Sequence, residues 1–419
     1  MADLNVHIVG GGVAGLAAAL GCMEAGLHVT LYEAAPELGG RARSYESAVL
    51  GCAIDNGAHA VLRNNESVMR YLALCGGADE LTPHGADGLH FHDVRARTDW
   101  RLRLPHGLVM ASHRPPGVSA FDLLAGARLV MAGKTQTAAV ALRASQRAMD
   151  TLWEPLCTAA LNTPLAEADA ATLALVLKRM VWPGGLNQGL LLPRRSLSQT
   201  YISPALRYLA QRGAALRTGT PLRDLRAADG RVNALIFDGA AVALAPDDVV
   251  VLALPPWAAP LALTGVDTSA FTYAPIVNAH FKLPTPAASR FVGLTGGVGQ
   301  WLLVRGDVAS VTISAADAVA GLDPDALAQS LWAEIAPLLN LPSGSVPPAH
   351  VIKERRATLR HTPGLNALRP GIATRFSNLF LAGDWTDSAP QHGLPCTLES
   401  AAQSGFACAK RAAELRKQR

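Results

Sequence analysis

The residues best placed by type and spacing to do chemistry begin near the N-terminus, where Gly10-Gly11-Gly12-Val13-Ala14-Gly15 carries a G-x-G-x-x-G spacing. In such a run the first glycine permits a tight turn and the second lets backbone approach a pyrophosphate. The third lets a helix pack on a strand, and the N–H groups from Val13 to Gly15 point the positive end of that helix at a phosphate. Glu33 follows 18 residues after Gly15, placed to accept hydrogen bonds from a ribose. Shortly beyond it, Gly39 and Gly40 open the backbone, and Arg41 and Arg43 supply two guanidinium groups able to neutralise a pyrophosphate. Together these residues predict dinucleotide binding. The competing readings are a glycine-rich turn without a ligand and, for the arginines, a solvated loop.

The elements that must position these groups follow from the surrounding pattern. An apolar run over 5–9 predicts a strand, 16–25 a helix and 28–32 a second strand that delivers Glu33. Residues 54–59, Ile-Asp-Asn-Gly-Ala-His, read as a short strand and turn. Pro204 marks the first turn of a helix over 203–213, followed by a strand at 215–218, a hairpin signalled by Asp229-Gly230 and a buried strand over 249–254. Residues 378–384 read as a buried strand delivering Asp384, with a long helix over about 397–415 behind it. Alternation over 89–104 predicts a hairpin, 119–162 is helical in composition, and 323–339 holds another helix.

Composition excludes several classes. A chain of 419 residues, half of them apolar, exceeds the usual size of one domain. A net charge of +4 with 17% charged residues is too mild for a nucleic-acid footprint. The six cysteines show no C-x-x-C pair or metal-like cluster, and they read as reduced thiols of a cytosolic enzyme. The N-terminal residues do not read as a signal peptide. The longest apolar tract, 249–266, is broken by Pro255, Pro256 and Pro260, so no membrane-spanning helix is expected.

Glu33 followed by Gly39-Gly40-Arg41 resembles the second signature of the flavin amine oxidase superfamily, and Gly383-Asp384 with Gly393-Leu394-Pro395-x-Thr397-x-Glu399 resembles its C-terminal flavin motif. The resemblance implies FAD as cofactor and a fold of α/β and α+β character. In it a Rossmann-like FAD-binding domain, over 1–65, 193–255 and 350–419, carries an inserted substrate domain over 66–192 and 256–349. It further implies that Gly57, Ala58 and His59 pass beside the flavin ring and that Leu222 meets the adenine through its backbone. Gly383 and Asp384 would lie at the ribitol or pyrophosphate, with the helix N-terminus at Leu394 and Thr397 facing the flavin's pyrimidine edge.

Within that superfamily, the run 152–164 together with Asp55-Asn56-Gly57-x-His59 resembles the squalene-associated branch containing the bacterial hydroxysqualene dehydroxylases. Ala58 stands where that branch leads one to expect glutamine, and the loop before Gly393 is longer. The implied reaction removes an allylic hydroxyl from a C30 alcohol and adds hydrogen, which requires reduced flavin, a proton donor and a dry pocket. His59 is the first candidate donor and Glu154 the second. The alternatives are a histidine that hydrogen-bonds backbone or flavin and a carboxylate on a helix surface.

Other readings of the same fold are a polyene desaturase or amine oxidase and a lipid-escort protein without flavin chemistry. With aromatic residues at 5%, and Gln391-His392-Gly393 at the expected cage position, an amine fits poorly. Intact Arg41, Asp384 and Thr397 speak against the escort. No second G-x-G-x-x-G follows a strand to hold a nicotinamide, so an external electron donor or reductase is expected. No metal and no nucleic acid are expected. The apolar substrate implies a cytoplasmic protein with peripheral contact at the inner face of the membrane, through 107–134.

Overall fold

The computed structural model describes residues 4–85, 87–103, 114–133, 135–183, 185–388 and 393–418. At its centre lies a parallel sheet of five strands in the order Leu379–Leu381, Val249–Leu252, Asn5–Val9, His28–Tyr32 and Ala215–Arg217. Val249–Leu252 is buried along its whole length, as a strand covered on both faces must be. One face, through Val6, Ile8, Val29, Leu31, Val249 and Val251, packs against the helices Val13–Glu24 and Leu398–Lys417. The other, through Tyr32, Val250, Leu252 and Leu379, packs against a three-stranded antiparallel sheet, Leu222–Ala228, Arg231–Phe237 and Ala240–Ala243. Its first hairpin turns at Asp229 and Gly230, with φ of 51° and 71°, the left-handed pair that the Asp-Gly sequence predicts.

The two helices approach closely because small residues line their contact. A Cβ on Gly405 would lie 2.2 Å from the Ala14 carbonyl oxygen, and one on Gly21 would lie 2.7 Å from the Ala409 Cβ. Gly21 and Gly405 thus set how near the C-terminal helix comes to Val13–Glu24.

A seven-stranded mixed sheet forms the second layer system, in the order Ala349–Leu359, Tyr273–Lys282, Val308–Ser314, Trp301–Arg305, Arg290–Thr295, Leu89–Asp93 and Thr98–Leu102. The expected hairpin at 89–104 forms its last two strands, joined in parallel to Arg290–Thr295, so segments far apart in sequence share one sheet. One face carries the helix Pro324–Ile335, capped by the Asp323 carboxylate at the N–H groups of Asp325 and Ala326. That helix stops short of the expected 339 because Pro337 has no N–H to continue it, and a 3₁₀ turn over Pro337–Leu339 follows. The helical insert packs against the Leu89–Asp93 and Thr98–Leu102 end of the sheet, and their shared apolar core runs from Leu89 and Phe91 to Leu173 and Leu186.

Two segments sit across the boundaries expected from sequence. The helix Glu66–Cys75 buries Val68, Tyr71 and Leu72 in the core beneath the parallel sheet. The strand Ala349–Leu359 belongs to the seven-stranded sheet.

Asn162 ties the helical insert to that sheet. It ends the helix Glu154–Leu161 at φ 48° and is buried. Its Nδ2 donates to the Ala274 carbonyl at 3.0 Å and Thr358 Oγ1 at 2.9 Å, and its Oδ1 accepts from the Ala315 N–H at 2.6 Å. Asn162→Ala strands an N–H and a carbonyl in the interior and forces a β-carbon residue into left-handed backbone without a compensating side chain. A loss of about 2–4 kcal/mol in denaturant unfolding is expected. A loss below about 0.5 kcal/mol would show that the insert is held elsewhere.

Candidate active site

Two glycine segments meet at the end of the parallel sheet. The Gly39 N–H donates to the Gly11 carbonyl at 2.8 Å, while Gly12 and Gly39 pair as a single bridge. At Gly10, φ is 108° and a Cβ would collide with the Ala253 carbonyl oxygen at 2.3 Å. A Cβ on Gly12, by contrast, would meet nothing closer than the Gly40 Cα at 3.9 Å. The space beside Gly12 is therefore an open groove with bare backbone on both sides. The helix Val13–Glu24 begins there with no side-chain cap and no acidic residue in its first turn, so the N–H groups of Val13, Ala14 and Gly15 are left for a ligand. This groove fits a pyrophosphate.

Glu33 stands at one end of it. Its Oε2 accepts the Gly11 N–H at 2.7 Å and its Oε1 the Ala35 N–H at 2.8 Å, which aims the carboxylate while leaving each oxygen a free lone pair. The Thr220 N–H donates to the Glu33 carbonyl at 2.8 Å, so the chain leading to half-buried Leu222 runs beside this carboxylate.

Arg41 and Asp384, far apart in sequence, meet at the groove's other side, with Nη2 at 2.6 Å from Oδ1 and Nη1 donating to the Ala357 carbonyl at 2.5 Å. Arg43 is half-buried, and its carbonyl accepts the Asn56 N–H. Asn56 Nδ2 donates to the Arg41 carbonyl at 3.1 Å. The turn at 56–59 is thereby stapled onto the arginine segment, with Gly57 packed on Asn278. Ala58 and His59 are half-buried. Burial pushes the His59 pKa below its ordinary value, against a hydrogen bond to the Asn56 backbone and the charge of Asp55, while Arg41 lowers it further. His59 is thus a neutral imidazole near pH 7.

The C-terminal part of the site is built around a residue that motif reading passed over. Arg369 is buried, and it donates to the carbonyls of Trp385, Leu394, Asp384 and Thr386 at 3.2, 2.6, 2.9 and 2.7 Å, and to Asn366 Oδ1 at 3.1 Å. It joins the Asp384 turn to the Leu394 loop. Above that turn, Ser404 Oγ accepts the Gly383 N–H at 2.8 Å. Thr397 caps the helix Leu398–Lys417 in a reciprocal box with Ser400, leaving the N–H groups of Leu398 and Glu399 at its start. Glu399 caps another helix: its carboxylate accepts the N–H groups of Ser67 and Val68 at 3.1 and 2.9 Å, and burial raises its pKa.

His361 Nε2 accepts the Cys396 N–H at 3.0 Å, which puts the ring proton on Nδ1. Burial, reinforced by Arg369, pushes the His361 pKa down to about 3. The Cys396 thiol is pushed up to about 12 by burial, so it is a packing residue and a poor nucleophile. All six cysteines are free, and among the described residues no group of histidines, cysteines and carboxylates could hold a metal.

Glu154 is not brought to His59. Its Oε2 accepts the Leu165 N–H at 3.0 Å, and its charged neighbours are Asp150 and Glu167 in the helical insert. Burial raises its pKa, but the carboxylate serves the loop that follows Asn162. The expected amine-cage positions 391 and 392 lie outside the described residues.

The chain matches the family described as flavin containing amine oxidoreductase over residues 13–413. It is 39% identical to a hydroxysqualene dehydroxylase of Rhodopseudomonas palustris over 98% of both chains, and 35% identical to one of Sinorhizobium fredii over 98% of both. The solved cyclohexylamine oxidase of Brevibacterium oxydans superposes with a TM-score of 0.72 over the whole of both chains at 16% identity, a likeness of fold alone.

The buried histidines set an acid limit on this architecture. His361 and His280, the latter pushed down to about 4 by burial against the charge of Asp55, are neutral when folded, while their ordinary value is 6.5. Their contribution is complete above pH 6.5. It falls as the pH drops towards 4, because the unfolded chain takes up protons that the native state refuses, with a slope of about 1.4 kcal/mol per pH unit for each histidine. Thermal unfolding from pH 7 to 4.5 should show this slope, and His361→Gln should make it shallower. An unchanged slope would mean that the ring is not held neutral.

Proposed function

Because this chain belongs to the flavin containing amine oxidoreductase family, in its hydroxysqualene dehydroxylase branch, we propose that it removes the hydroxyl of hydroxysqualene to give squalene. It is an FAD-dependent oxidoreductase. The observation that carries the reading is the likeness to named hydroxysqualene dehydroxylases along nearly the full length of both chains. The balance is fixed by the chemistry: an allylic C–O bond breaks, a C–H bond forms, and the hydroxyl leaves as water with one proton. Bound FAD in its reduced form supplies the hydride equivalent. The electrons come from an external donor.

The chain's residues divide the remaining work. The open groove between Gly12 and Gly40 and the uncapped helix start take the pyrophosphate. Glu33 takes the ribose, and the peptide of Leu222 lies towards the adenine. Arg41 would meet the pyrophosphate and its partner Asp384 the ribitol or pyrophosphate, and the start of the helix behind Thr397 would stabilise negative charge on the ring. His59, neutral at working pH, donates a hydrogen bond to the departing hydroxyl and relays a proton from solvent, so it is not a resident store of one. Glu154 shapes the insert. The poor fit of a low-aromatic chain to a cationic amine supports an apolar substrate.

We also propose that the helical insert touches the bilayer in which a C30 substrate dissolves. Phe121, Val130 and Met131 are 83, 78 and 80% exposed, and Leu124 is 52% exposed. Leu123 and Leu129 of the same segment are buried, which corrects the broader expectation. Residues 108–110 lie outside the described residues. Among the described residues no helix is long and apolar enough to cross a membrane, so the contact is peripheral.

Three measurements test these readings. Enzyme carrying reduced FAD, mixed with hydroxysqualene without oxygen, should reoxidise as squalene appears; bleaching of the oxidised form by squalene or an amine would favour the oxidative alternative. Glu33→Ala should purify with less flavin, and full retention would remove the ribose role. In flotation with anionic liposomes, Phe121→Ser with Met131→Ser should bind less than the parent, and equal binding would remove this surface.

A further inference from the structure

On the side of the hairpin Ser44–Ser47/Cys52–Asp55 that faces the seven-stranded sheet lies a cavity of about 270 Å³, reaching from Ile54 and Asp55 to Arg194, Arg305, Ser310 and His280. Its polar groups are unbalanced. The acceptors are already taken: Asp55 Oδ1 receives Ser44 Oγ at 2.6 Å and the Leu197 N–H at 2.9 Å, Asp55 Oδ2 receives Arg305 Nη2 at 2.5 Å, and Asp307 is paired with Lys282 at 2.7 Å. The donors are in surplus. His280 is 1% exposed, its Nδ1 meets Ser310 Oγ at 2.8 Å, the Asp55 backbone lies beside the ring, and Nε2 makes no well-formed hydrogen bond among the described residues. Arg194 lines the same space with no ion pair of its own among the described residues, while Arg195 is held by Glu80. Arg305 spends only part of its fork on Asp55 and the Pro193 carbonyl.

With the Ser310 hydroxyl donating to Nδ1, the ring proton sits on Nε2; a buried imidazole N–H without an acceptor costs about 1–3 kcal/mol, and two guanidinium groups lining the same cavity add a positive field. The complementary occupant is compact, anionic and acceptor-only, and the cavity has room for several groups the size of water, whose share of liquid volume is about 30 Å³. We propose that this cavity is a binding site for a phosphate-class oxyanion, held by Arg194, Arg305 and His280 Nε2–H. The site is separate from the groove at Gly12. It is joined to the flavin segment through Asp55, which pairs with Arg305 and continues directly into the turn bearing Gly57 and His59, and through the strand Tyr273–Lys282, which carries both His280 and the Asn278 that packs on Gly57.

Binding is read by calorimetry on the flavin-loaded protein, with orthophosphate, pyrophosphate and ADP titrated separately against a chloride background. A dissociation constant below about 1 mM for at least one of them is expected. Preference for either inorganic anion identifies a free oxyanion, and preference for ADP identifies a phosphate carried on a nucleotide. Arg194→Gln, at an exposed position outside the flavin groove, should weaken binding about tenfold, or about 1.4 kcal/mol, with flavin content unchanged. In ¹⁵N-histidine spectra one imidazole should shift on titration, and that signal should be missing in His280→Gln. Absence of binding by all three, undiminished affinity in Arg194→Gln, or a titration that leaves the His280 signal in place would overturn the proposal.

Discussion

The active site is organised by a buried positive charge held by neutral hydrogen-bond partners. The Arg369 guanidinium is neutralised by dipoles, four backbone carbonyls and one side-chain amide, drawn from the Asp384 turn, the Leu394 loop and Asn366. A charged group in the interior is tolerated only when its hydrogen-bonding capacity is met, so the two backbone segments are held to the positions that meet it. Those segments carry Asp384 and the approach to the helix behind Thr397. What looks in sequence like two neighbouring motifs is one assembly, with Arg369 as the part that joins them.

Around that assembly, atoms approach where bulk has been removed, and carboxylates act as caps as much as reactive groups. The groove floor is bare backbone at Gly12 and Gly40, and the helices behind it touch through Gly21 and Gly405. Glu33 fastens Gly11 and Ala35, Glu399 fastens Ser67 and Val68, and Glu154 fastens Leu165. Desolvation raises the pKa of both Glu154 and Glu399, yet each is accounted for by a backbone donor. A perturbed carboxyl is therefore a weak sign of catalysis in this fold unless it also faces the groove.

What could be read from sequence was local. The strand, glycine turn and helix at 5–24, the carboxylate at Glu33, the Asp229-Gly230 hairpin and the strand ending in Asp384 each depend on periodicity and turn chemistry within a few residues. Arg369, His361, Asn162 and Glu399 were illegible in their roles because their partners lie on remote elements: Asn162 reaches Thr358, and Glu399 reaches Ser67. The two segments that pack across the expected boundaries have the same origin. Glu66–Cys75 is an amphipathic helix whose pattern tells that one side is buried, not which core buries it, and Ala349–Leu359, an edge strand half-buried along most of its length, shows no alternation that would assign it to a sheet. Glu154 was proposed as an acid from its place in a motif, and the same motif contains Asn162, whose amide does the fastening.

The order of strands in the parallel sheet bears on how the chain is made. Asn5–Val9 and His28–Tyr32 leave the ribosome together, but the other neighbour of Asn5–Val9 is Val249–Leu252, and the strand beyond that is Leu379–Leu381. For most of its synthesis the nascent protein therefore carries an open apolar edge at Val6 and Ile8, followed by a second one at Val249–Leu252 until the last residues arrive. Pairings so distant in sequence are slow, and unpaired edges are where growing chains associate. The parallel sheet, although it contains Asn5–Val9, is completed only when Leu379–Leu381 pairs and the helix Leu398–Lys417 docks behind it.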